Sequence, residues 1–181
     1  EISSKDYLKK ANIAGVSLNG GTLLLDPRNI YVRDSSVGGT TLTSDLTNVD
    51  QYADGSTTSY RVNSSIIESA ITSGTNVILK AQRNIYVQSD IIATGSSGGD
   101  LTLNAGVDID ISANITTANG NLTLEANNES ISGRGNNRYS DIDISSTINL
   151  GTGDLNITLG NSNTLGSNDI DLSAATINAN N

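Results

Sequence analysis

Aliphatic residues alternate with polar ones over short runs of this chain, and the runs recur. "SDIDIS" at 140–145 has relatives in "VDIDIS" at 107–112, "NDIDLS" at 168–173, "RNIYVR" at 28–33 and "RNIYVQ" at 83–88. Each reads Asn or Asp, aliphatic, polar or aromatic, aliphatic. Upstream of each run lies an alternating pair: Leu23/Leu25, Val77/Leu79, Leu101/Leu103, Leu122/Leu124 or Leu155/Ile157. Six or seven residues downstream comes a third aliphatic: Val37, Ile91 or Ile92, Ile115, Ile148 or Ile177. Gly-rich turns follow at 95–100, 119–121 and 151–154.

Alternation at period two predicts strands with one apolar face. One unit therefore reads strand, turn, strand, turn, short strand, turn. Three short strands cannot bury their apolar faces alone. Stacking each strand in parallel on its copy in the next unit, about 4.8 Å away, buries them in continuous aliphatic columns. The predicted fold class is thus all-β, a β-solenoid of parallel strands. The leading residues Asn29, Asn84, Asp108, Asp141 and Asp169 are expected to end a turn and start a strand. Asn and Asp tolerate left-handed backbone and hydrogen-bond their own turn.

The spacing is interrupted. Residues 1–39 read as first partial coils, 40–76 as an excursion with a short helix, and 77–181 as stacked coils, all in one segment of a longer chain. Within the first excursion, 40–62 is polar and "SIIESAITSG" (65–74) is helical in pattern. Ser65 and Glu68 form a capping-box spacing, Ile67, Ala70 and Ile71 share a face, and Gly74 is a stop. A second polar excursion spans 125–141, and a smaller one 160–168. A helical turn is expected at 5–11. Residues 13–21 resemble the last strand and turn of an earlier coil, so the chain is expected to begin inside a longer solenoid.

Composition narrows the function classes. With 19 acidic and 10 basic residues the net charge is −9, which argues against a nucleic-acid partner. Residues 101–181 hold nine carboxylates against Arg134 and Arg138 alone. There is no Cys, His, Trp, Phe or Met, which excludes disulfides and thiolate metal sites. Ring-sized residues would fit poorly in narrow columns. No apolar run reaches 18 residues, so no membrane-spanning helix is expected.

Three stretches carry a family resemblance: "GGTLLLDPRNIYV" (20–32), "NSSIIESAITSGTNVILKAQRNIYVQSDI" (63–91) and "GDLTLNAGVDIDISANI" (99–115). In that order they resemble the filamentous-haemagglutinin class of two-partner secretion exoproteins, over roughly residues 15–180. The resemblance implies a right-handed parallel β-helix, to which the residues above add one short helix and polar excursion loops. It implies secretion to the bacterial surface through an outer-membrane β-barrel partner. It also implies an adhesive or stalk role, within a family whose roles include biofilm formation, haem-carrier capture and toxin display. The Asn-Pro signatures of the family's secretion domain are absent, which places this segment after that domain or at its end.

Several residues are candidates for chemistry. The positions between the two aliphatics are Tyr31, Tyr86, Asp110, Asp143 and Asp171. With the leading residues they make three pairs, Asp108/Asp110, Asp141/Asp143 and Asp169/Asp171. Stacked in register, like charges would lie about 5 Å apart and repel. Solvation, raised pKa values, or a hard cation such as calcium at these six carboxylates would relieve them. Tyr31 and Tyr86 are expected to stack, beside Arg28, Arg33 and Arg83. The loop "GRGNNRYSD" supplies Arg134, Asn136, Asn137, Arg138 and Tyr139, suited to a glycan or an acidic partner. Five glycosylation sequons start at Asn63, Asn114, Asn121, Asn128 and Asn156. Without His or Cys, and without a Ser at recognisable spacing from a base, an enzyme is not expected and no cofactor is implied. A carbohydrate-binding or carbohydrate-cleaving β-helix protein is the alternative.

Overall fold

The computed structural model describes residues 22–25, 28–34, 59–131, 139–160 and 168–180. Strands β1 (Thr22–Leu25), β2 (Asn29–Val32) and β3 (Ser59–Val62) precede the helix α1 (Ser64–Thr72). Four triplets follow. They are β4 (Asn76–Ala81), β5 (Ile85–Val87) and β6 (Ile91–Ile92); then β7 (Leu101–Ala105), β8 (Ile109–Ile111) and β9 (Ile115–Thr116). The third is β10 (Leu122–Ala126), β11 (Asp141–Ile144) and β12 (Thr147–Asn149), and the last is β13 (Leu155–Leu159), β14 (Asp169–Asp171) and β15 (Thr176–Asn178).

Like strands pair with like. One sheet runs β1-β4-β7-β10-β13, a second β14-β11-β8-β5-β2-β3, and a third β15-β12-β9-β6. Every pairing is parallel, and the register joins equivalent residues of successive units, as in Val77↔Leu101 and Leu101↔Leu122. The described residues form an all-β arrangement of parallel sheets with one short helix.

The alternation seen in the sequence is the burial pattern. In the first sheet Leu79, Leu103 and Leu124 form one inward column, and Ala81, Ala105 and Ala126 form the next. In the second, Ile30, Ile85, Ile109 and Ile142 stack, with Val32, Val87, Ile111 and Ile144 beside them. In the third, Ile91, Ile115 and Ile148 stack. All are buried and belong to one core cluster. Turn glycines follow from the close passage of successive units. A Cβ on Gly99 would strike the Thr75 carbonyl, and one on Gly120 the Gly99 carbonyl.

Three expectations for residues 40–76 are revised. Residues 59–62 are not part of a polar excursion: β3 adds to the outer edge of β2 (Ile30↔Tyr60, Tyr31↔Arg61). The helix occupies 64–72 and buries Ile67, Ala70 and Ile71, the face read from the sequence, together with Ser64. Its N-cap, however, is Asn63 without a side-chain bond, so there is no Ser65–Glu68 capping box. Glu68 is used elsewhere. Its Oε1 accepts the Ile92 N–H at 2.9 Å, and Thr72 Oγ1 accepts the Thr94 N–H at 3.2 Å. Those donors lie at the open edge of the third sheet, where the helix stands in place of a strand. At the C-terminus Gly74 has φ +78°. Its N–H reaches Ile71 O and that of Thr75 reaches Ala70 O, which is a Schellman motif. The readings made for 5–11, 13–21 and Val37 lie outside the described residues.

Among the described residues, β13, β14 and β15 each pair with a strand on one side only. Their inward residues are only partly covered, with Ile170 40% and Ile177 36% exposed.

Inside and outside residues of β11 should respond differently. Ile144→Asp puts a charge at a buried site and is expected to cost at least about 3 kcal/mol, the scale of a large core deletion before charge is counted. Asp143→Ala on the exposed side should stay within about 0.5 kcal/mol of neutral. Urea unfolding of both variants checks this, and equal losses would mean that the register is wrong.

Candidate functional site

The Asn and Asp residues that lead each strand do more than shape turns. Ahead of the first sheet, Asp100 N–H donates to Asn76 Oδ1 (2.9 Å), Asn121 N–H to Asp100 Oδ1 (2.8 Å), and Asp154 N–H to Asn121 Oδ1 (2.9 Å). Ahead of the second, Asn84 N–H donates to Asn29 Oδ1, Asp141 N–H to Asp108 Oδ1, and Asp169 N–H to Asp141 Oδ1. Ahead of the third, Asn114 N–H donates to Asp90 Oδ1 and Thr147 N–H to Asn114 Oδ1. Backbone bonds interleave with these. Val77 N–H meets Asp100 O, Leu101 N–H meets Asn121 O, and Leu122 N–H meets Asp154 O.

This corrects the local role given to the leading residues. Among described non-glycine residues only Ala118, Asn119 and Asn127 have positive φ, so none of the five leading residues is left-handed. Asn29, Asp108 and Asp141 turn their side-chain oxygens along the stack to an N–H of the next unit. Asn84 and Asp169 bond within their own unit, Asn84 Nδ2 to the Tyr86 hydroxyl and Asp169 to the Ile170 N–H at 2.8 Å. The ladders ahead of the first and third sheets were not recognised as such from the sequence. Their signal was present: Asn76, Asp90, Asp100, Asn114, Asn121 and Asp154 also each precede an inward aliphatic.

The outward face of the second sheet carries the candidate residues. Tyr31 and Tyr86 are in register and stack, with centroids 4.7 Å apart and planes at 19°. Asn84 Nδ2 donates to the Tyr86 hydroxyl at 2.7 Å. The next rungs are Asp110, Asp143 and Asp171, also in register. Beside them run Asp108, Asp141 and Asp169 along the corner. All six candidate carboxylates thus lie on one side of three successive rungs. Among the described residues, no group of three or more is placed to hold a metal ion.

The carboxylates are not equivalent. Asp108 is held above the usual range, first by burial. The Asp141 N–H pulls it back, the Asp141 charge raises it, Arg83 lowers it, and Asp143 raises it. Asp110 is raised by burial. Asp143 is raised by burial and then by the charges of Asp141, Asp110, Asp171 and Asp169. Asp171 is lowered by its bonds to Ser173. Desolvation, ahead of the repulsion expected from the sequence, is the larger cause.

The loop candidates are divided. Arg134, Asn136, Asn137 and Arg138 lie outside the described residues, while Tyr139 is 57% exposed, next to the buried Ser140. Four sequon asparagines have structural places. Asn63 caps α1, Asn114 and Asn121 are ladder rungs, and Asn128 Nδ2 donates to Asn104 Oδ1, whose Nδ2 donates to Glu125. Asn156 is exposed on β13.

Comparison with family models, with curated proteins and with solved structures gave no match for this chain.

Raised folded pKa values have a definite linkage sign. Asp108, Asp110 and Asp143 hold protons more tightly folded than unfolded. Their contribution to stability is complete below the unfolded value near 3.9, and is lost as pH rises through the raised folded values. Asp171 acts oppositely: its contribution is present above about 3.9 and is lost as pH falls through its lowered value. Asp143→Asn should therefore flatten the decline in melting temperature above pH 4, and salt at pH 7 should recover only the repulsive part. One millimolar calcium at constant ionic strength is expected to leave the melting temperature unchanged. A rise abolished by Asp110→Asn with Asp143→Asn would instead establish a cation site.

The ladders predict a contrast between two asparagines. Asn121→Ala strands the Asp154 N–H and should cost about 1–3 kcal/mol, whereas Asn156→Ala should be nearly silent. Paired thermal melts would show it, and equal effects would deny the ladder a stabilising role.

Proposed function

We propose that this chain is a segment of a right-handed parallel β-helix. It forms part of the elongated stalk of a secreted bacterial surface exoprotein and carries adhesive loops. The observation that carries this reading is the one-dimensional growth of the structure. Three parallel sheets lengthen together, one strand per unit, through the same corner ladders. Such a design builds length without a second layer, which suits a spacer that holds a binding element away from a cell. The hand follows from the strong preference of parallel crossovers for right-handed connection. The resemblance of residues 20–32, 63–91 and 99–115 to filamentous-haemagglutinin-like exoproteins supports the same class. By that resemblance, the full-length protein leaves the cell through an outer-membrane β-barrel. No helix among the described residues is long and apolar enough to cross a membrane.

Adhesive contact is assigned to the loop that interrupts the regular spacing, Arg134 to Tyr139. It offers guanidinium, amide and phenol groups on a rigid support, a set suited to sugar hydroxyls or carboxylates. The test is a glycan-array and cell-surface binding screen of the fragment beside an Arg134→Ala/Arg138→Ala variant. A loss of roughly tenfold or more in binding, on the scale of one or two charge-assisted hydrogen bonds, is expected with the melting temperature unchanged. Equal binding by the variant would remove the loop from the reading. Turnover of an acidic polysaccharide would favour the carbohydrate-cleaving alternative.

A further inference from the structure

The outward face of the second sheet changes chemistry between β5 and β8. The rungs of β2 and β5 read "RNIYVR" and "RNIYVQ", and the rungs of β8, β11 and β14 read "VDIDIS", "SDIDIS" and "NDIDLS". The first two hold Arg28, Arg33 and Arg83 with Tyr31 and Tyr86, and no carboxylate. The other three hold six carboxylates and no cation. Backbone bonds fix the columns on both sides of the tyrosines. Arg83 N–H donates to Arg28 O on one side, and Gln88 N–H to Val32 O, beside Arg33, on the other. The three arginines and both tyrosines are partly exposed, and Gln88 is exposed. The aliphatics of both rungs, Ile30, Val32, Ile85 and Val87, are fully buried. What faces out is therefore guanidinium, phenol and amide. The rings are held rigidly, stacked at 4.7 Å. The Tyr86 hydroxyl accepts from Asn84 Nδ2, which leaves its own proton to donate elsewhere. Two carboxylates lie near the arginines. Arg83 is close enough to Asp108 to lower its carboxyl, and Asp34, next to Arg33, takes the Ser64 hydroxyl at 3.2 Å.

We propose that the outward face of β2 and β5 is a binding surface for a saccharide that carries a carboxylate, of the uronic acid class. Guanidinium groups take a carboxylate through paired, charge-assisted hydrogen bonds. Phenol and amide groups both donate to and accept from sugar hydroxyls. Stacked tyrosines add contact area at little cost in side-chain entropy. An acidic peptide suits the face less well, because protein interfaces bury an apolar centre and every aliphatic of these rungs points inward. The aspartates of the β8 rung bound the surface. They repel an anion that drifts along the stack, so the saccharide lies across the β2 and β5 rungs. This surface is distinct from the loop at 134–139 and rests on the register of the second sheet, independently of the stalk reading.

Calorimetric titration of the chain with a galacturonate oligomer, beside its methyl ester, tests this. The ester keeps the hydroxyls and loses the charge. It is expected to bind about tenfold or more weakly than the acid, the scale of one lost charge-assisted hydrogen bond. Arg28→Gln with Arg33→Gln should weaken binding of the acid by a similar factor and leave binding of the ester unchanged. Thermal melts of the variant serve as the folding control. Arg134→Ala with Arg138→Ala should leave binding of the acid intact, which separates this surface from the loop. A second measurement needs no variant. Backbone amide resonances of 28–33 and 83–88 should shift as the acid is added to the unaltered protein, while those of 141–145 stay in place. Affinity weaker than about 1 mM, equal binding of acid and ester, unaltered binding by the Arg28/Arg33 variant, shifts confined to other residues, or equal binding of a polyglutamate peptide would each overturn the proposal.

Discussion

Everything in this molecule depends on one repeated step: a backbone N–H at a corner reaches the side-chain oxygen of the Asn or Asp one unit earlier. Parallel sheets alone leave corners as the places where backbone donors lose their partners. Here the corner side chain replaces the missing strand. Asp100 accepts from Asn121, Asn121 accepts from Asp154, and the interleaved backbone carbonyls take the N–H of the next residue. The corner is then satisfied from both sides, and the unit above is held in register. A slip of one residue would break both kinds of bond and turn the aliphatic columns outward.

That constraint explains where charge is tolerated. Ahead of the first sheet the ladder alternates Asn76, Asp100, Asn121, Asp154. Each carboxylate is separated from the next by an amide rung, so like charges sit about two strand spacings apart, close to a Debye length in ordinary salt. Ahead of the second sheet Asp108, Asp141 and Asp169 follow one another without an amide between them. Asp110, Asp143 and Asp171 run alongside. This crowded face is where the pKa values rise. Burial leads because a neighbouring rung covers part of each carboxylate, and repulsion from the other rungs adds to it at Asp143.

The ends are managed unequally. At the third sheet, the helix presents Glu68 and Thr72 to the N–H groups of Ile92 and Thr94, which would otherwise form an open strand edge. At the last repeat, the described residues provide no such cover.

The sequence by itself determined the repeating unit and the inside–outside order of its strands. Period-two alternation has one physical reading once an apolar face must be buried. Val77, Leu101 and Leu122, and Ile85, Ile109 and Ile142, were legible as columns for that reason. The stacking of Tyr31 on Tyr86 and the buried face of α1 followed from the same spacing. Only the tertiary structure decided what the polar residues do, because a side-chain oxygen bonds whatever donor lies nearest in space. The leading Asn and Asp could equally have served their own turns, and Glu68 could have closed a capping box. Asp100, Asn121 and Asp108 instead serve strands 21 to 33 residues away, and Glu68 serves Ile92, 24 residues away. The joining of β3 to β2 was equally hidden, since "SYRV" carries too short an alternation to name its neighbour. Partial burial of Asp108 and Asp110 came from units stacked above and below them, a distance in space that one-dimensional spacing does not record.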